Sequence, residues 1–93
     1  MVPEVHKLEI KYYVVYGQWK PGLPGSDKLK EAVEEWKKVV EKNNMELVLW
    51  GAPFGVSENS IFVYKGTTEN YLSLVTSGKQ PYTDDRTHMV LKM

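Results

Sequence analysis

The stretch SDKLKEAVEEWKKVVEKNN, residues 26–44, decides the fold, because it is the one long segment whose apolar residues keep helical spacing. Leu29, Ala32, Val33, Trp36, Val39 and Val40 recur three and four apart and form a single stripe. Glu34 and Lys38 face the other way at i,i+4, with the acid N-terminal to the base as the helix dipole prefers. Ser26 or Asp27 supplies a short side-chain oxygen for the N-cap. Asn43-Asn44 supplies the end, since asparagine tolerates the left-handed backbone that closes a helix. The spacing therefore predicts one amphipathic helix whose stripe needs a sheet to cover it.

Upstream, residues 7–16 alternate: Leu8, Ile10, Tyr12, Val14 and Tyr16 against Lys7, Glu9, Lys11, Tyr13 and Val15. A period of two with β-branched and aromatic side chains predicts a strand. Gly17 ends it, and residues 17–25, with two prolines and three glycines, form a loop. Downstream, a second strand spans Met45 to Trp50, and Gly51-Ala52-Pro53-Phe54-Gly55 breaks it. A third strand runs from Ser60 to Lys65, paired with the second as an antiparallel hairpin with a long loop. Thr67 or Thr68 caps a short second helix that buries Tyr71, Leu72, Leu74 and Val75 and stops at Gly78. A polar loop, Lys79 to Asp85, leads into a last strand from Arg86 to the C-terminus.

This order, β-α-β-β-α-β in one domain over residues 1–93, is that of a ferredoxin-like α+β fold. Right-handed crossovers put both helices on one face of a four-stranded antiparallel sheet. By alternation the covered face takes Leu8, Ile10, Tyr12 and Val14, with Met45, Leu47, Leu49, Met89, Leu91 and Met93. The open face then takes Glu9, Lys11 and Lys92, together with Tyr13, Val15, Val48, Trp50, His88 and Val90. Strand three is apolar on both sides, Ile61 and Val63 against Phe62 and Tyr64. A half-apolar, aromatic open face is uncommon on a monomer and marks an interface.

In element order, length and this open face, the whole chain resembles the dimeric α+β barrel group. These are small ferredoxin-like proteins in which two sheets pack face to face. The group includes cofactor-free monooxygenases, small isomerases, haem-binding members and amino-acid-sensing domains. The resemblance implies a homodimer through the helix-free face, with Tyr13, Trp50 and Val90 in the seam. No diagnostic motif is matched, so no functional residue is carried over.

Composition narrows the rest. Twelve basic and twelve acidic residues cancel, which leaves no field for nucleic acid or an anionic membrane. Arg86 is the only arginine, so bidentate phosphate or base readout is poorly supplied. The chain has no cysteine, which excludes disulfides and thiolate metal sites. The start is too polar for a signal peptide and no apolar run is long enough to span a bilayer, so the expected compartment is the cytoplasm. Plentiful lysine and glutamate with little glutamine fit a thermophile. A chain this short buries only about 60–65% of its unfolded surface, which favours self-association.

His88, on the open face, is the candidate acid, base or ligand near neutral pH; the alternative is a histidine at a dimer seam. Tyr13 is its candidate partner in a catalytic pocket. His6 lies in the N-terminal lead-in, with no metal-ligand spacing to a second histidine. Trp19 and Lys20 border the mouth between sheet and helices, where Trp19 lines a pocket or pins its loop. Trp50, Tyr64, Tyr82 and Arg86 are further pocket or seam candidates, and Trp36 belongs to the core. Asp84 and Asp85 are adjacent carboxylates, but turn-forming aspartate pairs are common and no metal or cofactor is expected. No nucleophile arrangement, phosphate loop or HExxH pattern is present. Three readings follow: a homodimer with a pocket for a small apolar or aromatic molecule, a cofactor-free monooxygenase or isomerase, or an assembly module without a pocket.

Overall fold

The structure is a computed structural model that describes residues 10–91. The elements run β1 (Lys11–Trp19), α1 (Lys28–Lys42), β2 (Glu46–Gly51), β3 (Ser60–Gly66), α2 (Thr68–Val75) and β4 (Tyr82–Leu91). The strands form one antiparallel sheet in the order β2-β3-β1-β4. Each crossover thus skips a strand, β1 to β2 past β3 and β3 to β4 past β1, which is the split β-α-β arrangement of the ferredoxin-like fold. Both helices cover the same face. Val33, Trp36 and Val40 of α1 and Tyr71 and Leu74 of α2 share one core with Tyr13, Val15, Phe62, Tyr64 and Tyr82.

Local signals account for most boundaries. Asn44 takes a left-handed φ of 59° after the Asn43 cap, and Thr67 Oγ1 accepts the Asn70 N–H at 3.2 Å to start α2. The start of α1 differs from expectation, because neither Ser26 nor Asp27 caps it through its side chain. Asp27 already has helical φ and ψ, and the Ser26 hydroxyl donates to Leu23 O at 2.8 Å. Gly17 does not end β1 and Tyr82–Asp85 is not loop. Thr83 O lies 2.5 Å from where a Cβ at Gly17 would sit, so only glycine lets β1 and β4 continue side by side. The β1–β4 register shifts at the same point, between Tyr16 and Gly17.

The faces of β1 are the reverse of the expected ones. Tyr13 and Val15 are buried under the helices, whereas Tyr12, Val14 and Tyr16 lie on the helix-free face. The strand is apolar in both registers, so alternation alone cannot choose between them. Tyr13 settles the choice by stacking on Tyr71 of α2, with ring centroids 4.1 Å apart. Leu49 also changes face, because a bulge between Leu47 and Leu49 inserts Val48. Trp50 is opposite Phe62 and stacks on it, which puts it on the helix side. Leu72, expected in the core, is exposed, and Met89 and Leu91 share Tyr13's face but stay exposed on the edge strand. The expectations for His6, Lys7, Leu8, Glu9, Lys92 and Met93 lie outside the described residues.

Candidate functional site

Three cross-strand rows make up the helix-free face. They read Glu46–Lys65–Tyr12–Val90, Leu49–Val63–Val14–His88 and Gly51–Ile61–Tyr16–Arg86 from β2 to β4. The middle of the face, Val63 and Val14 flanked by Leu49, Ile61, Tyr12 and Tyr16, is apolar. Charge sits toward the ends: Glu46 and Lys65 in one outer row, Arg86 in the other. Leu49 is 50% and Val90 47% exposed, so this is a large apolar surface in water.

One corner is built from buried charge. Glu58, with a side chain only 5% exposed, accepts from Arg86 Nε at 3.0 Å and from Nη2 at 3.3 Å. The guanidinium lies over the Tyr16 ring, 4.4 Å from its centroid, and His88 meets the same ring edge-on at 6.1 Å. The hydrogen bond from Arg86 holds the Glu58 carboxyl below the usual range, and Glu58 in turn raises the guanidinium. His88 is thus on the open face, as expected, but it is exposed and lines neither of the two concavities described below. Tyr13 is not beside it: it lies on the opposite side of the sheet, with its hydroxyl 2.9 Å from Thr68 Oγ1.

On the covered side, the aromatic candidates form a hydrogen-bonded core. Trp36 Nε1 donates to Tyr64 Oη at 2.7 Å, and the Tyr64 and Tyr82 hydroxyls are 2.6 Å apart. Burial pushes both phenols far above their ordinary range and raises Tyr71 as well. Trp19 is the last residue of β1 rather than a loop residue, and it packs edge-on against Trp50 and Phe62. These contacts hold it at the end of the sheet, and it lines neither of the two concavities described below. Tyr64 and Tyr82 are core, not seam.

β1 and β2 end, and β3 and β4 begin, at the same edge of the sheet. The connections 20–27, 52–59 and 76–81 therefore gather there. Between the first of these, α1 and the third is a concavity of about 460 Å³. Pro21, Leu23, Ala32, Trp36, Val39 and Pro81 supply its apolar walls, and Lys20, Glu35, Lys79 and Gln80 the polar groups. Lys20 N–H donates to Pro81 O at 3.1 Å, which joins its two loop walls. Sequence reading reached Lys20 through its loop. It missed Lys79 and Gln80, because only the crossover brings residue 79 beside residue 20. A second concavity, about 360 Å³, lies between α1 and the edge strand β2. In the 52–59 connection, Phe54 is 99% exposed.

Among the described residues no cluster of three or more His, Asp or Glu could hold a metal ion. Asp84, raised by partial burial, has no such company. No described helix is long and apolar enough to cross a membrane. Fold and surfaces together define a ferredoxin-like α+β domain with an apolar open sheet face and a loop-end concavity. No protein-family model matches the chain, and no curated protein matches it either.

Proposed function

We propose that the protein is a homodimeric binding module, in which two copies pack helix-free face to helix-free face and each holds a small, largely apolar or aromatic molecule in its loop-end concavity. The observation that carries this reading is the open face itself, an apolar middle with charge toward the ends, the layout of a protein interface. Its size supports a second copy as the occupant. Four strands about 4.8 Å apart, paired over the seven residues Lys11–Gly17, span roughly 440 Å². Two such faces total about 900 Å² before side-chain relief is added, close to the ~1,000 Å² that a specific interface needs. A face carrying both signs of charge on a chain of zero formal net charge also suits a self-complementary, two-fold contact.

The seam of this dimer is Tyr12, Val14, Ile61, Val63 and Val90, not Tyr13 and Trp50. At about 460 Å³ the concavity falls in the range of small-molecule sites, which separates this reading from a pocketless assembly module. A monooxygenase or isomerase reading needs an enclosed space around His88, whereas the exposed His88 lines neither of the two concavities. The plentiful lysine and glutamate with little glutamine support a warm habitat.

Light scattering tests the assembly. The expected mass at micromolar concentration is twice 10.7 kDa, and Val14→Lys in the middle of the face is expected to halve it. A monodisperse wild-type monomer would overturn the dimer.

A further inference from the structure

The geometry points to an anion as part of the ligand: we infer that the loop-end concavity takes an aromatic carboxylate, its ring on the apolar walls and its acid group between Lys20 and Lys79. This inference rests on the binding reading above and adds the charge of the ligand.

The charges around the concavity are unequal. Lys20 on the β1–α1 connection and Lys79 on the α2–β4 connection form no side-chain hydrogen bond or ion pair among the described residues. Glu35, the one acid in the lining, is engaged by Lys38 at 3.4 Å one helical turn on. One N–H of the Gln80 amide is also engaged, since Nε2 donates to Val75 O at 3.1 Å. Two lysines of the lining thus lack an ion-pair partner among the described residues, while its carboxylate already has a cation. Both lysines are exposed and lie on loops whose backbones are tied together through Lys20 N–H and Pro81 O. A ligand carboxylate would give them the partner the protein does not. The accessible apolar walls are Pro21, Leu23, Ala32 and Val39, which present aliphatic surface to an aromatic body. A phosphate alone would leave those walls without an occupant, and an aromatic amine would place a like charge beside both lysines.

The test titrates the isotope-labelled protein with indole-3-acetate, with tryptamine as the cationic counterpart of similar shape, and with inorganic phosphate. Amide and tryptophan indole signals are followed by NMR. Saturable shifts are expected for indole-3-acetate at Leu23, Ala32, Lys79 and the Trp36 indole. Tryptamine and phosphate are expected to bind at least about tenfold more weakly. Lys20→Glu/Lys79→Glu, at two exposed positions, should reverse the order of acid and amine while leaving the core signals of Tyr64 and Phe62 in place. If tryptamine binds as tightly as the acid in the wild type, the anion inference falls and the binding reading stands. If phosphate binds as tightly as the acid, the aromatic part of the inference falls. If no probe shifts these residues, or the shifts map to Val14 and Val63, both the inference and the concavity as a binding site fall.

Discussion

Arg86 of β4 grips Glu58 of the β2–β3 connection with two donors, Nε to Oε2 at 3.0 Å and Nη2 to Oε1 at 3.3 Å. Residues 28 apart in sequence are thereby joined across the end of the sheet, and Asn59 Oδ1 adds a second tie by accepting the Trp19 N–H at 2.8 Å. The connection is held at its base while Phe54 is left in water. The chain's only arginine is thus a clamp built on a nearly buried carboxylate.

That clamp should set the acid limb of stability. Glu58 has a carboxyl lowered below its ordinary 4.5 by the Arg86 hydrogen bond, so its contribution is complete above that value. It is lost as pH falls through the lowered value, when the folded state must also take up the proton. The urea midpoint of the wild type should therefore fall between neutral pH and about pH 3 more steeply than that of Glu58→Gln. Equal slopes would show that the pair does not govern acid unfolding. Arg86→Ala should lower the melting temperature at pH 7, where it leaves the carboxylate charged and without its partner.

The Trp36–Tyr64–Tyr82 chain predicts an order of mutational cost. Tyr64→Phe removes the acceptor of Trp36 Nε1 and the partner of the Tyr82 hydroxyl together, for about 2–4 kcal/mol. Tyr82→Phe leaves the indole bond intact and should cost about 1 kcal/mol. Denaturant unfolding of both variants measures the difference, and the reverse order would contradict the hydrogen-bond assignment.

The same two phenols should make the protein sensitive to base. Their folded values are raised by burial, so the stability they contribute is complete below the ordinary 10 and declines as pH rises above it. Absorbance at 295 nm should show two tyrosines that ionise only together with the loss of tertiary circular dichroism. A smooth titration of all six tyrosines in the folded state would be the contrary result.

Gly66 and Met45 should prove strongly coupled. Met45 Sδ occupies the space that a Cβ at 66 would need, and both residues are buried. Gly66→Ala should cost about 1–3 kcal/mol through overpacking. Combined with Met45→Ala, which empties that space, it should cost less than the sum of the single changes. Additive costs in a double-mutant cycle would show that the introduced methyl does not meet Met45.

Assembly makes a separate prediction for stability. If the open face is covered by a second copy, the wild-type urea midpoint should rise with protein concentration. Val14→Lys, whose side chain points to that face, should show a midpoint independent of concentration. A concentration-independent wild type would match only a monomer.

The residues themselves determined the element order, both helices, the Asn43-Asn44 boundary, a threonine cap at 67 or 68 and the α+β class, because these depend on periodicity and caps that act within a few residues. The sequence also indicated that one sheet face would be half apolar, and it put His88 and Val90 there. What it could not determine was which half of β1 faces the helices, since Tyr12, Val14 and Tyr16 are as apolar as Tyr13 and Val15. Only tertiary packing decided that, through the Tyr13–Tyr71 stack and the hydroxyl chain beneath Trp36. The bulge at Val48 and the close approach at Gly17 likewise depend on neighbouring strands rather than on local preference. The presence of Lys20 and Lys79 in the lining of one concavity has the same origin: the second crossover ends where the first begins.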